Sequence, residues 1–148
     1  MGNTVRLQRI FTAPPERVFR AFTDPRALVK WMAPHGFIAQ VNHSDVRTSG
    51  SYSMTFINFS TGAKHSFHGQ YQEVILNKLL RYTDEFDSEE LAGEIQVTVE
   101  LKDMSVGTEL TIVQEGLPDV IPVDACYLGW QESLQLLSFL VNPSIPDQ

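Results

Sequence analysis

At 148 residues, 43% of them apolar and 20% charged, the chain can bury the core of one domain and has no room for a second. That balance excludes a disordered chain, and the longest apolar stretches, such as Leu134 to Val141, fall far short of the roughly 20 residues a membrane-spanning helix needs. A net charge of −7 without any Lys/Arg cluster excludes nucleic acid as a partner, because polyanions are repelled.

The first residues lead directly into strand-like alternation without an apolar secretory segment, which predicts a protein of the cytoplasm. Gly2 does not open a myristoylation motif, since Arg6 stands where that motif requires Ser or Thr. The single cysteine, Cys126, can form no internal disulfide and supplies no cysteine-based metal site. Flanked by Ala125 and Tyr127 on an amphipathic stretch, it is expected as a small buried side chain rather than a nucleophile.

Thr4 to Phe11 alternates polar and apolar residues and predicts a strand, with Val5, Leu7 and, after a small slip, Phe11 facing a core. Ala13-Pro14-Pro15-Glu16 then sets prolines and an acid where a helix begins, and Val18, Phe19 and Phe22 recur at helical spacing before Asp24-Pro25 stops them. A second short helix is predicted through Ala27 to Met32, ended by Pro34 and Gly36. From Phe37 the period changes to two. Strands are expected near Phe37 to Val46, Ser51 to Phe59, Lys64 to Val74, Lys78 to Phe86, Gly93 to Lys102 and Thr108 to Glu115. The breaks between them are short and polar, so neighbouring strands should pair in order as an antiparallel meander. After Pro122, the residues Cys126, Trp130, Ser133, Leu134, Leu137 and Val141 form one helical stripe, ended by Asn142-Pro143. A meander closed by an amphipathic helix packs economically only when the sheet curves around the helix. The expected architecture is therefore α+β, a single domain over residues 1–148 with six or seven strands.

This order of elements carries particular segments: Ala13-Pro14-Pro15-Glu16-Arg17-Val18-Phe19 with its continuation to Pro25, Leu28-Val29-Lys30-Trp31-Met32-Ala33-Pro34, Phe67-His68-Gly69-Gln70-Tyr71-Gln72-Glu73-Val74, and the helix opening Gly129-Trp130. Together they resemble the family named for the activator of heat-shock protein 90 ATPase, of AHSA type, within the START-like (SRPBCC, Bet v 1-like) helix-grip superfamily. The likeness runs over nearly the whole chain. It implies a cavity between sheet and helix, which members of the superfamily use for lipids, hormones or polyketides and occasionally for catalysis. It also implies an alternative partner, a chaperone ATPase in the stress response.

Strand parity says which side chains would line such a cavity. In Lys64 to Val74, Ser66, His68, Gln70 and Gln72 form an almost wholly polar face for solvent, which turns Phe67 and Tyr71 inward with His65 on the same side. Ser51 to Phe59 groups Tyr52, Met54 and Phe56 in the same way, and Lys78 to Phe86 groups Leu80, Tyr82, Asp84 and Phe86, with Tyr82 pointing inward. With Trp130 and Leu134 from the helix, Tyr52, Met54, Phe56, His65, Phe67, Tyr71 and Tyr82 are the expected ligand-binding residues. Trp31 is expected on an outer helix near the cavity mouth. Three tyrosines combine apolar bodies with hydroxyl tips, as a mostly apolar pocket requires to orient a ligand; the alternative is a core packed shut around them.

Catalysis and metal binding find less support. His65 and His68 lie three apart on a strand and face opposite ways, so they cannot share an ion, and His35 and His43 have no ligand-spaced acids around them. Glu89 and Glu90 lie in a solvated turn. His65 and Glu73 share a face but stand roughly 26 Å apart by strand rise. Neither a nucleophile motif nor a phosphate-cradling glycine loop is present, so no catalytic residue, metal or cofactor is assigned. An enzyme of cyclase or hydrolase type would have to use His65 or one tyrosine alone. The expectation is a protein, monomer or homodimer, that binds a hydrophobic small molecule.

Overall fold

The computed structural model describes residues 3–91 and 93–147, so Gly2 lies outside the described residues. In chain order the elements are β1 (Asn3–Phe11), α1 (Pro15–Thr23), α2 (Pro25–Trp31), β2 (Phe37–Ser44), β3 (Ser51–Asn58), β4 (Lys64–Ile75), β5 (Leu79–Phe86), β6 (Ile95–Met104), β7 (Gly107–Leu117) and α3 (Val123–Val141). The expected order of elements is reproduced, with strand ends shifted by one or two residues where turns close.

All seven strands form one curved antiparallel sheet in the order β1-β7-β6-β5-β4-β3-β2. β1 and β2 are its two edges although they are neighbours in sequence, so α1 and α2 carry the chain from one edge to the other. Pro15 and Pro25 open these helices, where a missing N–H costs nothing. Asp24 separates them: its carboxylate accepts from the Arg26 N–H at 2.9 Å, a cap whose hydrogen bonds hold the carboxyl below its ordinary range. α3 then returns across the concave face and packs on β1 and α2.

Register sets the inner face row by row. Leu7 lies opposite Ile112, Ile112 opposite Val99, and Val99 opposite Leu80; a neighbouring row runs Val5, Gln114, Val97, Tyr82, Tyr71. Leu134, Leu137 and Val141 of α3 are buried with the aliphatic residues of β1, β6 and β7 in one core.

Two expectations need correction. Phe11 requires no slip, because Val5, Leu7, Arg9 and Phe11 share one parity; the half-buried Arg9 interrupts the apolar run and is held by the Gln131 side chain. Trp31 does not stand near a cavity mouth. It is completely buried, donates from its indole to the Ala21 carbonyl at 2.8 Å, and packs edge-on against Phe22 at 4.7 Å between centroids.

Candidate functional site

A cavity of about 430 Å³ lies between β2–β5 and the N-terminal half of α3. Its walls are mostly aromatic and aliphatic, because inward positions of β3, β4 and β5 converge there. Tyr52, Met54, Phe56, His65, Phe67, Tyr71, Tyr82 and Trp130 all border it. His65 does so from the rim, exposed and edge-on to Phe37. Leu134 does not border it: it lies on the same helical stripe as Trp130 but one turn further, in the filled part of the core.

The tyrosines form a compact cluster, with Tyr52 at 5.6 Å from Tyr71 and 5.7 Å from Tyr82, and Tyr71 at 5.8 Å from Tyr82. Gly69 makes this possible. It is paired with Tyr52 across β3 and β4, and a Cβ there would lie 1.8 Å from the Thr83 carbonyl oxygen and 2.7 Å from the Tyr52 ring. The β4–β5 pairing skips Gly69 and Gln70, and the Gln70 N–H donates instead to Thr83 Oγ1 at 3.0 Å. Tyr52 therefore crosses over β4 and donates its hydroxyl to the Thr83 carbonyl at 2.9 Å. The neighbouring Asp84 Oδ1 stands 3.2 Å from the same Tyr52 oxygen.

Asp84 is a functional candidate that strand parity groups with Tyr82 without marking it for a role. The signal was its place on the inward side of β5; what no pattern could show is that its carboxyl has no ion-pair partner among the described residues. Burial pushes this carboxyl up to about 7, against a smaller opposing pull from the Tyr52 hydrogen bond. Burial and the nearby Asp84 charge in turn raise the Tyr52 and Tyr82 phenols, and burial pushes Tyr71 up to about 12. When Asp84 is neutral, its O–H can donate to Tyr52 while Tyr52 donates to Thr83, which satisfies all three groups.

The Tyr71 and Tyr82 hydroxyls have no hydrogen-bond partner among the described residues, yet neither is sealed from accessible space. Both border the cavity, so their capacity remains for an occupant. Across from them Trp130 Nε1 donates to Gln114 Oε1 at 3.0 Å, fixing the indole over the cavity. Gln114, a polar residue on the inward side of β7, borders the cavity without any signal in the local pattern. Cys126 faces the same space, and burial raises its thiol away from the thiolate form. Among the described residues no cluster of three His, Cys, Asp or Glu side chains could hold a metal ion, and no helix is long and apolar enough to cross a membrane.

Residues 12–142 match the family model described as Activator of Hsp90 ATPase homolog 1-like protein. The chain belongs to this family. Among solved structures, protein CV1439 from Chromobacterium violaceum is similar to it, with 51% identity, a TM-score of 0.95, and coverage of 96% of this chain and 99% of that one. The AHSA1 protein from Silicibacter pomeroyi has 22% identity and a TM-score of 0.82 over 93% of this chain and 96% of its own, a likeness that shows the fold alone. A protein from Arthrobacter aurescens, at 20% identity and a TM-score of 0.83, covers 93% of this chain and 85% of that chain. No curated protein is matched. For a member of this family, the cavity beneath α3 is the feature to which the helix-grip architecture points.

Proposed function

We propose that the protein binds an apolar small molecule in the cavity between β2–β5 and α3. The observation that carries this reading is an open space of about 430 Å³, walled largely by aromatic side chains and bordered by Tyr71 and Tyr82, whose hydroxyls have no hydrogen-bond partner among the described residues. Such a site excludes water from most of a ligand's surface and orients it by a few polar contacts. The reading is tested by titrating the protein with an apolar fluorescent probe while following tryptophan emission in a Trp31→Phe background. Binding at about one to one should change Trp130 emission and saturate; the absence of saturable binding would overturn it. Tyr71→Ala should alter affinity severalfold, whereas Gln70→Ala, on the solvated face of β4, should not.

Binding to a chaperone ATPase, the alternative implied by the resemblance, rests on the family description. Added to such an ATPase without a small ligand, this chain should leave turnover unchanged; a strong saturable increase would place the partner reading first.

A further inference from the structure

We infer that the occupant of this cavity is a lipophilic amine whose ammonium group sits against Asp84 and the Tyr71–Tyr82 pair. The inference rests on the binding reading above and names its ligand class.

The polarity of the wall carries the argument. Among the described residues neither lysine nor arginine borders the cavity, so a fatty acid or other carboxylate would meet no permanent cation, only His43 and His65, and would face the carboxyl of Asp84. Burying a charge without a partner is costly, and two carboxylates brought together disfavour one another further. A protonated amine meets the opposite situation. Asp84 supplies a carboxylate with no ion-pair partner among the described residues and only the more distant charge of His68 to favour it, and Tyr71 and Tyr82 supply hydroxyl acceptors and electron-rich ring faces. The rest of the molecule then lies against Phe56, Phe67 and Phe86, whose rings adjoin one another along the wall. A neutral alcohol can use the same hydroxyls but gains nothing from the charge. The carboxyl also has a defined position: the hydroxyl oxygen of Tyr52, laid over Gly69, stands 3.2 Å from Oδ1.

Ammonium binding requires the ionised form of Asp84. With this carboxyl at about 7 in the empty site, its ionised fraction grows about tenfold between pH 6 and pH 8, and apparent affinity for an amine should grow by the same factor. An alkylamine stays protonated across that range. The other titratable groups that face this space are the three tyrosines, Cys126 from α3, and His43 and His65 from β2 and β4. His68 approaches from the outer face of β4, where Asp87 and Glu85 engage it. The histidines are therefore the competing source of any pH dependence.

Calorimetric titration with 4-phenylbutylamine, 4-phenylbutanol and 4-phenylbutyrate, which share one apolar body, separates the possibilities. At pH 8 the amine should bind about tenfold or more tighter than the alcohol and the acid weakest, the order that pairing a desolvated carboxylate predicts. Between pH 6 and pH 8 only the amine should gain about tenfold. Asp84→Asn should bring the amine to the alcohol's affinity and abolish its pH gain while leaving the alcohol within about twofold, which also reports that the variant cavity is intact. His43→Gln combined with His65→Gln should retain the gain. If the alcohol binds and the amine binds no tighter, or the double histidine variant loses the gain, the amine inference is overturned and the cavity reading stands. If none of the three binds, both fall.

Discussion

The two halves of the inner sheet face obey the same alternation and end in opposite states. On β1, β7 and β6 the inward residues are aliphatic, among them Val5, Leu7, Leu110, Ile112, Val97 and Val99, and each is 3% exposed or less. On β3, β4 and β5 they are mainly aromatic and border an open cavity. The difference is made by the helix above them. The C-terminal half of α3 lowers Leu134, Leu137 and Val141 into the aliphatic half, whereas its N-terminal half offers Ala125, Cys126 and Gly129 to the aromatic half. Small residues leave the space, and Trp130, tied back to Gln114, roofs it without filling it. The lesson is that a hydrophobic face is a core or a binding site according to the volume its partner element supplies.

The filled half should be the more sensitive to truncation. Leu134→Ala leaves a void among packed side chains and should cost about 2–5 kcal/mol, while Gln135→Ala on the exposed side should be nearly neutral. Equal denaturation midpoints for Leu134→Ala and the wild type would remove the contrast between the halves.

In the open half, the largest effect on stability should come from charge rather than volume. The folded-state pKa of Asp84 is raised to about 7 from an unfolded value of about 3.9. The folded protein thus holds a proton that the unfolded chain releases, so this contribution is fully present below about pH 4 and is lost as pH rises through about 7. Asp84→Asn carries no charge and should gain on the wild type over that window, by up to about 4 kcal/mol at pH 8. A difference between variant and wild type that is the same at pH 4 and pH 8 would show that the carboxyl is not buried as described.

Gly129 sharpens the comparison with the smallest change. A Cβ added there meets nothing within 4 Å. Gly129→Ala should therefore stabilise α3 by about 1 kcal/mol through helix propensity alone. Gly129→Phe should place a ring in the cavity and abolish probe binding with the fold retained. Probe binding unaffected by Gly129→Phe would mean that the ligand enters elsewhere.

Local period decided much of this molecule from the sequence. Tyr52, Met54, Phe67, Tyr71 and Tyr82 face inward because alternation over a few residues is a property of the strand itself. The stripe of α3 was legible for the same reason. What the chain pattern could not separate was Trp130 from Leu134, which share a helical face but not a neighbour, since one lies over small residues' space and the other over aliphatic strands. Trp31 read as peripheral because its helix has only seven residues; its burial depends on α1 folding back so that the Ala21 carbonyl and Phe22 receive the indole. Asp84 shows the boundary most sharply. Parity places it inward, but its contact with Tyr52 arises from strands β3 and β5 meeting across Gly69, groups 32 residues apart in the chain. The direction in which a side chain points is set by its own backbone, whereas its charge state and the space in front of it are set by whatever tertiary packing brings there.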